Sequence, residues 1–234
     1  MERVLTRIIV ALDDLSVNDA LSLAEKLSGE DVVFKANDLL DDEGPEIMRT
    51  LSVYGGVMAD PKFHDIPNTV KNRIKKYAIH GPDFITVHAS GGIAMMKAAV
   101  ENRGDSGILA VTVLTSLSED DCKSIFGSSV KDKVLQLAKD AVSAGVQGIV
   151  CSPQELEFLS QFPEFENILK VTPGIRPFWH LGKGDDQSRV TTPERAARKG
   201  ADYIVIGRPI VKAEDPVKAV RKTKDEILSA FAEC

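Results

Sequence analysis

The chain has 234 residues, a formal net charge of −6 and a hydrophobic fraction of 43%. That length and apolar content suit one large core. The acidic balance argues against nucleic-acid binding through a general basic surface, and no apolar run approaches the roughly 18 residues that a membrane helix needs.

The first apolar run begins near Arg7 and soon meets Asp13 and Asp14. It lacks the small-residue cleavage site of a secretory leader and reads as a first strand. From there, apolar and often β-branched runs alternate eight times with helical patterns. Strands are expected near 7–12, 32–35, 56–60, 84–88, 107–113, 147–151, 168–172 and 203–206. Continuous apolar runs of this kind are what parallel strands buried on both faces require. In the first helical pattern Val17, Ala20, Leu21, Ala24 and Leu27 form one stripe behind a Ser16 cap. Ser152-Pro153-Gln154-Glu155 reads as a capping box with proline at the first helical position. Thr192-Pro193 and Asp215-Pro216 repeat the cap-plus-proline device. One breaker-rich segment, 177–189, follows the seventh strand, a place where barrels often build phosphate sites. Cys122, Cys151 and Cys234 form no C-x-x-C pair and point to reduced thiols in a cytoplasmic protein.

Eight β/α units at this length fit a (β/α)8 TIM barrel, with residues 1–234 as a single catalytic domain. A doubly wound open sheet is the alternative. Its dinucleotide-binding version is weakened because no G-x-G-x-x-G opens a helix.

Catalytic groups in such barrels gather at the carboxyl ends of the strands. In order, those ends carry Asp13, Lys35, Asp60 with Lys62, His88, Thr115 with Ser116, Cys151 with Ser152, Arg176, and Gly207 with Arg208. Several have plain structural readings. Asp13 can terminate a strand, Lys35 can snorkel, and His88 can be a core histidine. Cys151 reads best as a small buried apolar residue. Gly207-Arg208 fits a phosphate grip, in which glycine admits close backbone approach and arginine offers a planar fork.

The densest signal is Asp60-Pro61-Lys62-Phe63-His64-Asp65-Ile66-Pro67-Asn68-Thr69. Asp60 and Lys62 are two apart and project from one face of an extended strand. Asp65 follows where the strand turns into a loop, or caps a helix starting near Pro67. Two charges on one face of a buried strand need partners out of water. Such a row suits a site that holds one lysine protonated and aims it.

This segment resembles orotidine 5'-phosphate decarboxylase. The likeness extends through Ala11-Leu12-Asp13, Phe34-Lys35, His88-Ala89-Ser90-Gly91-Gly92, Val113-Leu114-Thr115-Ser116, Val150-Cys151-Ser152, Val171 to Pro177, Asp186-Gln187 and Ile206 to Ile210. The resemblance implies a cofactor-free homodimer whose active sites lie at the interface, and orotidine 5'-phosphate as substrate. It implies a charge network of Lys35, Asp60, Lys62 and the partner's Asp65, with Lys62 as proton donor. Asp13 and the partner's Thr69 are implied to bind the ribosyl part, and Thr115 lies in the pyrimidine-binding segment. Arg176, Gln187, Gly207 and Arg208 are the implied phosphate-end group.

Three departures stand out. Ala36-Asn37 follows Lys35 where the family usually reads Val-Gly, Pro61 replaces a leucine, and the loop from Arg176 to Gln187 is about two residues longer than in enterobacterial relatives. None falls on a charged network position. Metal-dependent sugar-phosphate decarboxylases and aldolases share D-x-K-x-x-D but carry an acid where this chain has Lys35, and an ammonium cannot ligate magnesium. A barrel retained only for nucleotide binding or protein interaction is the remaining reading. The intact Lys35, Asp60, Lys62 and Asp65 argue against it.

Overall fold

Parallel pairing of every strand with the next, and of the last with the first, closes a barrel in this computed structural model. The structure describes residues 6–180 and 191–232. In chain order the elements are β1 (Arg7–Ala11), α1 (Val17–Lys26), β2 (Val33–Ala36), α2 (Asp38–Glu43), α3 (Ile47–Leu51), β3 (Gly56–Phe63) and α4 (Pro67–Ala78). Next come β4 (Phe84–His88), α5 (Ile93–Val100), β5 (Gly107–Val111), α6 (Glu119–Phe126), α7 (Val130–Ala144), β6 (Gly148–Val150) and α8 (Leu156–Leu159). The chain closes with β7 (Leu169–Thr172), α9 (Pro193–Arg198), β8 (Tyr203–Ile206), α10 (Arg208–Val211) and α11 (Pro216–Ser229).

The period-2 alternation of each strand sorts its side chains into two cores. Ile9, Ala11, Val33, Met58, Phe84, Leu109, Val171 and Val205 fill the barrel interior. Ile8, Val10, Phe34, Val57, Ile85, Ile108 and Ile204 face outward and pack with the buried helix stripes, among them Ala20, Ala24 and Leu27. The interior phase positions the site. Ile9 and Ala11 lead to Asp13, Val33 to Lys35, Met58 to Asp60, and Phe84 to Thr86 and His88. Each of these four strands is thus apolar at the barrel floor and polar at its carboxyl end.

The helix starts follow the expected chemistry at three places. Ser16, Thr192 and Asp215 each accept the N–H three residues on, satisfying donors that the first turn leaves without partners. The expected capping box at Ser152 needs correction. Glu155 accepts the Ser152 N–H at 2.8 Å, but Ser152 Oγ reaches the Gln154 N–H, at 3.3 Å. These contacts brace a turn. The helix begins only at Leu156, so Pro153 is not its first residue.

β3 runs three residues beyond the expected end at 60 and carries a bulge between Ala59 and Phe63. Pro61 lies inside that irregularity. A proline has no N–H for the ladder and is tolerated in a sheet at such a bulge.

Candidate active site

Two interior strand ends bring opposite charges together at the mouth of the barrel. Lys35 ends the polar side of β2, and its Nζ donates to both Asp13 oxygens, at 2.7 and 2.9 Å. The same Nζ lies 3.3 Å from Asp60 Oδ2. Lys62 Nζ donates to that oxygen at 2.7 Å. Asp60 Oδ2 is therefore shared by two ammonium groups, and its carboxylate is 5% exposed. Burial works against the charge on Lys35, but Asp60 and Asp13 outweigh it, and the net effect raises the lysine above its ordinary value of 10.5. Lys35 stays an ammonium in the fold.

The remaining Asp60 atoms are also held. Its Oδ1 accepts the Thr86 hydroxyl at 2.8 Å, and its carbonyl oxygen accepts Asn37 Nδ2 at 2.6 Å. Thr86 Oγ1 in turn accepts the Lys62 N–H at 2.9 Å. Lys62 has φ +46, in the left-handed region that a side-chain-bearing residue seldom occupies. Lys62 and Asp60 do share a face, but by way of the bulge and this left-handed residue rather than by regular extension.

Above this cluster a cavity of about 340 Å³ opens over the barrel. Met58, Val111, Val150, Cys151 and Val205 line its apolar side. Asp13, Lys35, Asp60 and Lys62 form one charged side, and Arg176, Gly207, Arg208 and Lys212 form a second, cationic side. A flat apolar group flanked by two separated sets of charges has the chemistry to fit it.

A model of the orotidine 5'-phosphate decarboxylase / HUMPS family matches residues 6–223. The chain belongs to this family. An orotidine 5'-phosphate decarboxylase of Geobacter sp. is 41% identical over 97% of this chain and 98% of its own length. One from Streptococcus gordonii is 40% identical over 94% and 97%. The crystal structure of orotidine 5'-phosphate decarboxylase from Lactobacillus acidophilus is similar with a TM-score of 0.80 at 34% identity, covering 95% of this chain and 99% of that one.

The site residues that the orotidine 5'-phosphate decarboxylase resemblance implies fall into three groups in this chain. Asp13, Lys35, Asp60 and Lys62 meet one another and line the cavity, and Thr115, Arg176, Gly207 and Arg208 also line it. Asp65 and Thr69 do not join them. The Asp65 carboxylate accepts the Ile66 N–H at 2.7 Å and stands 3.8 Å from Arg73, on the outer side of the start of α4. Gln187 lies outside the described residues. Arg176 is buried, donates from Nη1 to the Ile175 carbonyl, and its N–H binds the Thr191 carbonyl at 2.8 Å. That contact and a parallel bridge between Ile175 and Thr191 close the base of the 177–189 segment. A Cβ built on Gly207 would meet only Ala11, at an ordinary 3.6 Å. The protein itself does not demand a glycine there, and the other side of the residue faces the cavity.

His88 lines up beside His64, with ring centroids 5.4 Å apart. Burial, then His64 and Lys62, hold His88 below the usual histidine value, against a smaller opposing pull from Asp60. Cys151 is fully buried, and burial pushes its thiol well up, in keeping with an inert apolar role. Among the described residues no group of three His, Cys, Asp or Glu side chains is gathered to hold a metal ion, and no helix is long and apolar enough to cross a membrane.

Sequence reasoning missed Thr86, Asn37 and Lys212. A threonine inside a strand looks like ordinary β-propensity. Its one signal is phase, because Thr86 shares the interior face with His88. Asn37 was visible only as a departure from the family pattern.

Proposed function

We propose that this chain decarboxylates orotidine 5'-phosphate to uridine 5'-phosphate, without a cofactor, as a step of pyrimidine biosynthesis. The single observation that carries the reading is Asp60 Oδ2 shared by Lys35 and Lys62 at the edge of the cavity. In this reading residues 1–234 act as one catalytic domain in the cytoplasm. Breaking the bond between the ring carbon and the carboxylate releases carbon dioxide and leaves an electron pair on that carbon. With no electron sink, fixed charges must stabilise the pair. Lys62 Nζ supplies that charge and then its proton, forming the C–H bond and leaving a neutral amine that solvent reprotonates. Asp60 keeps Lys62 charged and aimed, and Lys35 with Asp13 fixes Asp60. Asp13 and Thr115 hold the nucleoside. Arg176, Gln187, Gly207 and Arg208 take the phosphate, whose binding energy is realised at the distant reacting bond.

In the same reading the enzyme is a homodimer with shared sites. Asp65 of the partner subunit completes the charge row, and Thr69 of the partner subunit reaches the ribose. The position of Asp65 on the outer face of its own chain supports this part. The test is direct. Purified protein should convert orotidine 5'-phosphate to uridine 5'-phosphate and carbon dioxide at the same rate before and after exhaustive chelation. No conversion would refute the reaction, and loss on chelation with recovery on adding magnesium would refute the cofactor-free mechanism.

A further inference from the structure

We infer that Thr86 is the positioning residue that sets the geometry of the lysine–aspartate pair, acting through Asp60 and the backbone of Lys62. The inference rests on the proposed decarboxylation. It concerns how the two reacting-site groups are held, not which reaction they perform.

The hydroxyl of Thr86 is fully buried. It accepts the Lys62 N–H at 2.9 Å, so its own hydrogen is free to serve only an acceptor. That acceptor is Asp60 Oδ1, at 2.8 Å. A hydroxyl has one hydrogen, and the two contacts together fix its direction. One atom on β4 thus ties down both members of the pair on β3.

Two consequences follow for the site. First, Asp60 has two oxygens, and Thr86 occupies one. The other is thereby turned toward both ammonium groups, Lys62 at 2.7 Å and Lys35 at 3.3 Å. Without the Thr86 bond the carboxylate can rotate about its terminal torsion, which has a broad energy profile. Second, the Lys62 amide sits just after Pro61 in a bulge where no ladder partner is offered. A residue held at φ +46 persists only when its surroundings over-determine it. The Thr86 oxygen meets that amide. Asp60 is 4% exposed, so bulk water is poorly placed to substitute for the lost hydroxyl.

Thr86 does not itself line the cavity and reaches it only through Asp60 and Lys62, which do. Its loss should therefore act on turnover rather than on nucleotide binding. Thr86→Val preserves shape and removes the hydroxyl. Thr86→Ser preserves the hydroxyl and removes the methyl group. With folding checked by circular dichroism, kcat for orotidine 5'-phosphate should fall roughly 10- to 100-fold in Thr86→Val, the range expected for losing a hydrogen bond to an ionised group. KM and the affinity for uridine 5'-phosphate should move less than about threefold. Thr86→Ser should recover kcat to within about threefold of the parent. If Thr86→Val fails to fold, Thr86→Ala takes its place in the same comparison. A hydroxyl-less variant with parental kcat overturns the inference. So does a loss confined to KM, or a serine variant as impaired as the valine, which would assign the effect to packing of the methyl group. A parent enzyme with no decarboxylase activity would instead fail the functional reading itself, and it is measured first.

Discussion

Among the described residues two lysines are almost fully buried, one at the carboxyl-end mouth of the barrel and one on the outer face of β7 near the opposite end, and they are handled in opposite ways. Lys35, 7% exposed, reaches up among carboxylates at the carboxyl ends of the strands. Lys170, 9% exposed, is the second residue of β7, toward the other end, and its Nζ donates to the Ile168 carbonyl at 3.0 Å. Near it the Asp202 carboxylate accepts the Lys170 N–H at 2.7 Å, and Phe84 and Tyr203 stack edge to face across the floor. The base of the barrel uses its polar groups to satisfy backbone, which is what stability asks for. The mouth sets like charges side by side, two ammoniums on one oxygen, with an open cavity above them. Such an arrangement is costly unless every member is paired. It marks the end of the barrel where chemistry rather than stability chose the residues.

The comparison is broken most severely at the mouth. Lys62→Ala should lower kcat by at least about 10³-fold, since it removes both the proton donor and the charge facing the developing carbanion. Its fold should survive, because Lys62 is the most exposed of the four cluster side chains after Asp13. Lys35→Ala should be comparably inactive and also destabilised by about 3–5 kcal/mol, because it leaves Asp60 buried with one counter-charge fewer and frees Asp13. Steady-state kinetics and urea unfolding separate the two. Equal stabilities for both variants would contradict the division of roles between them.

Next in size is the shared-site prediction. Lys62→Ala and Asp65→Ala should each be nearly inactive alone. When the two are mixed and subunits exchange at random, half of the dimers are mixed and one of the two sites in each is intact. About a quarter of all sites should recover, as two-fold symmetry dictates. Verified exchange without recovery would place Asp65 outside the site.

Much of this was readable from the chain, and the limits have physical causes. Apart from the far end of β3, β-branched runs mark strands whose ends lie within one or two residues of the observed ones, because burial on both faces leaves little other choice of residue. The interior phase carried Asp13, Lys35 and Asp60 to one mouth. What escaped was geometry that breaks the period. The bulge at Pro61 and the left-handed Lys62 arise from pairing between strands, and no single run encodes that. Spacing puts Asp65 at the strand end, and only the resemblance assigns it to the partner's site; within its own chain the turn into α4 carries it outward to Ile66 and Arg73. Thr86 and Asn37 belong to the site only through partners 23 to 26 residues away, across a strand pair.

At the floor, Lys170→Met should leave kcat and KM within about twofold of the parent. Its stability should change by no more than about 1–2 kcal/mol in either direction, since a well-packed apolar chain of similar length can replace a buried ammonium. A large loss of turnover would mean that the floor communicates with the mouth and would undo the contrast between the two lysines.

The smallest effect is the pH dependence of the mouth lysine. Lys35 has its folded-state value raised above 10.5 by Asp60 and Asp13 against the cost of burial. The folded chain therefore holds this proton more tightly than the unfolded chain. The stabilisation is fully present below the ordinary lysine value and is lost as pH climbs through the raised folded value. The excess stability of the parent over Lys35→Met should accordingly be flat from neutral to mildly alkaline pH and decline above about 10.5. The decline cannot exceed about 1.4 kcal/mol per pH unit, the ceiling for one proton. Measuring the difference rather than the parent alone cancels the general alkaline loss shared by every tyrosine and lysine on the surface. A Lys35 difference that rises with pH in that window would show that burial, not the two carboxylates, governs its proton, and the charge cluster at the mouth would then not be what holds it.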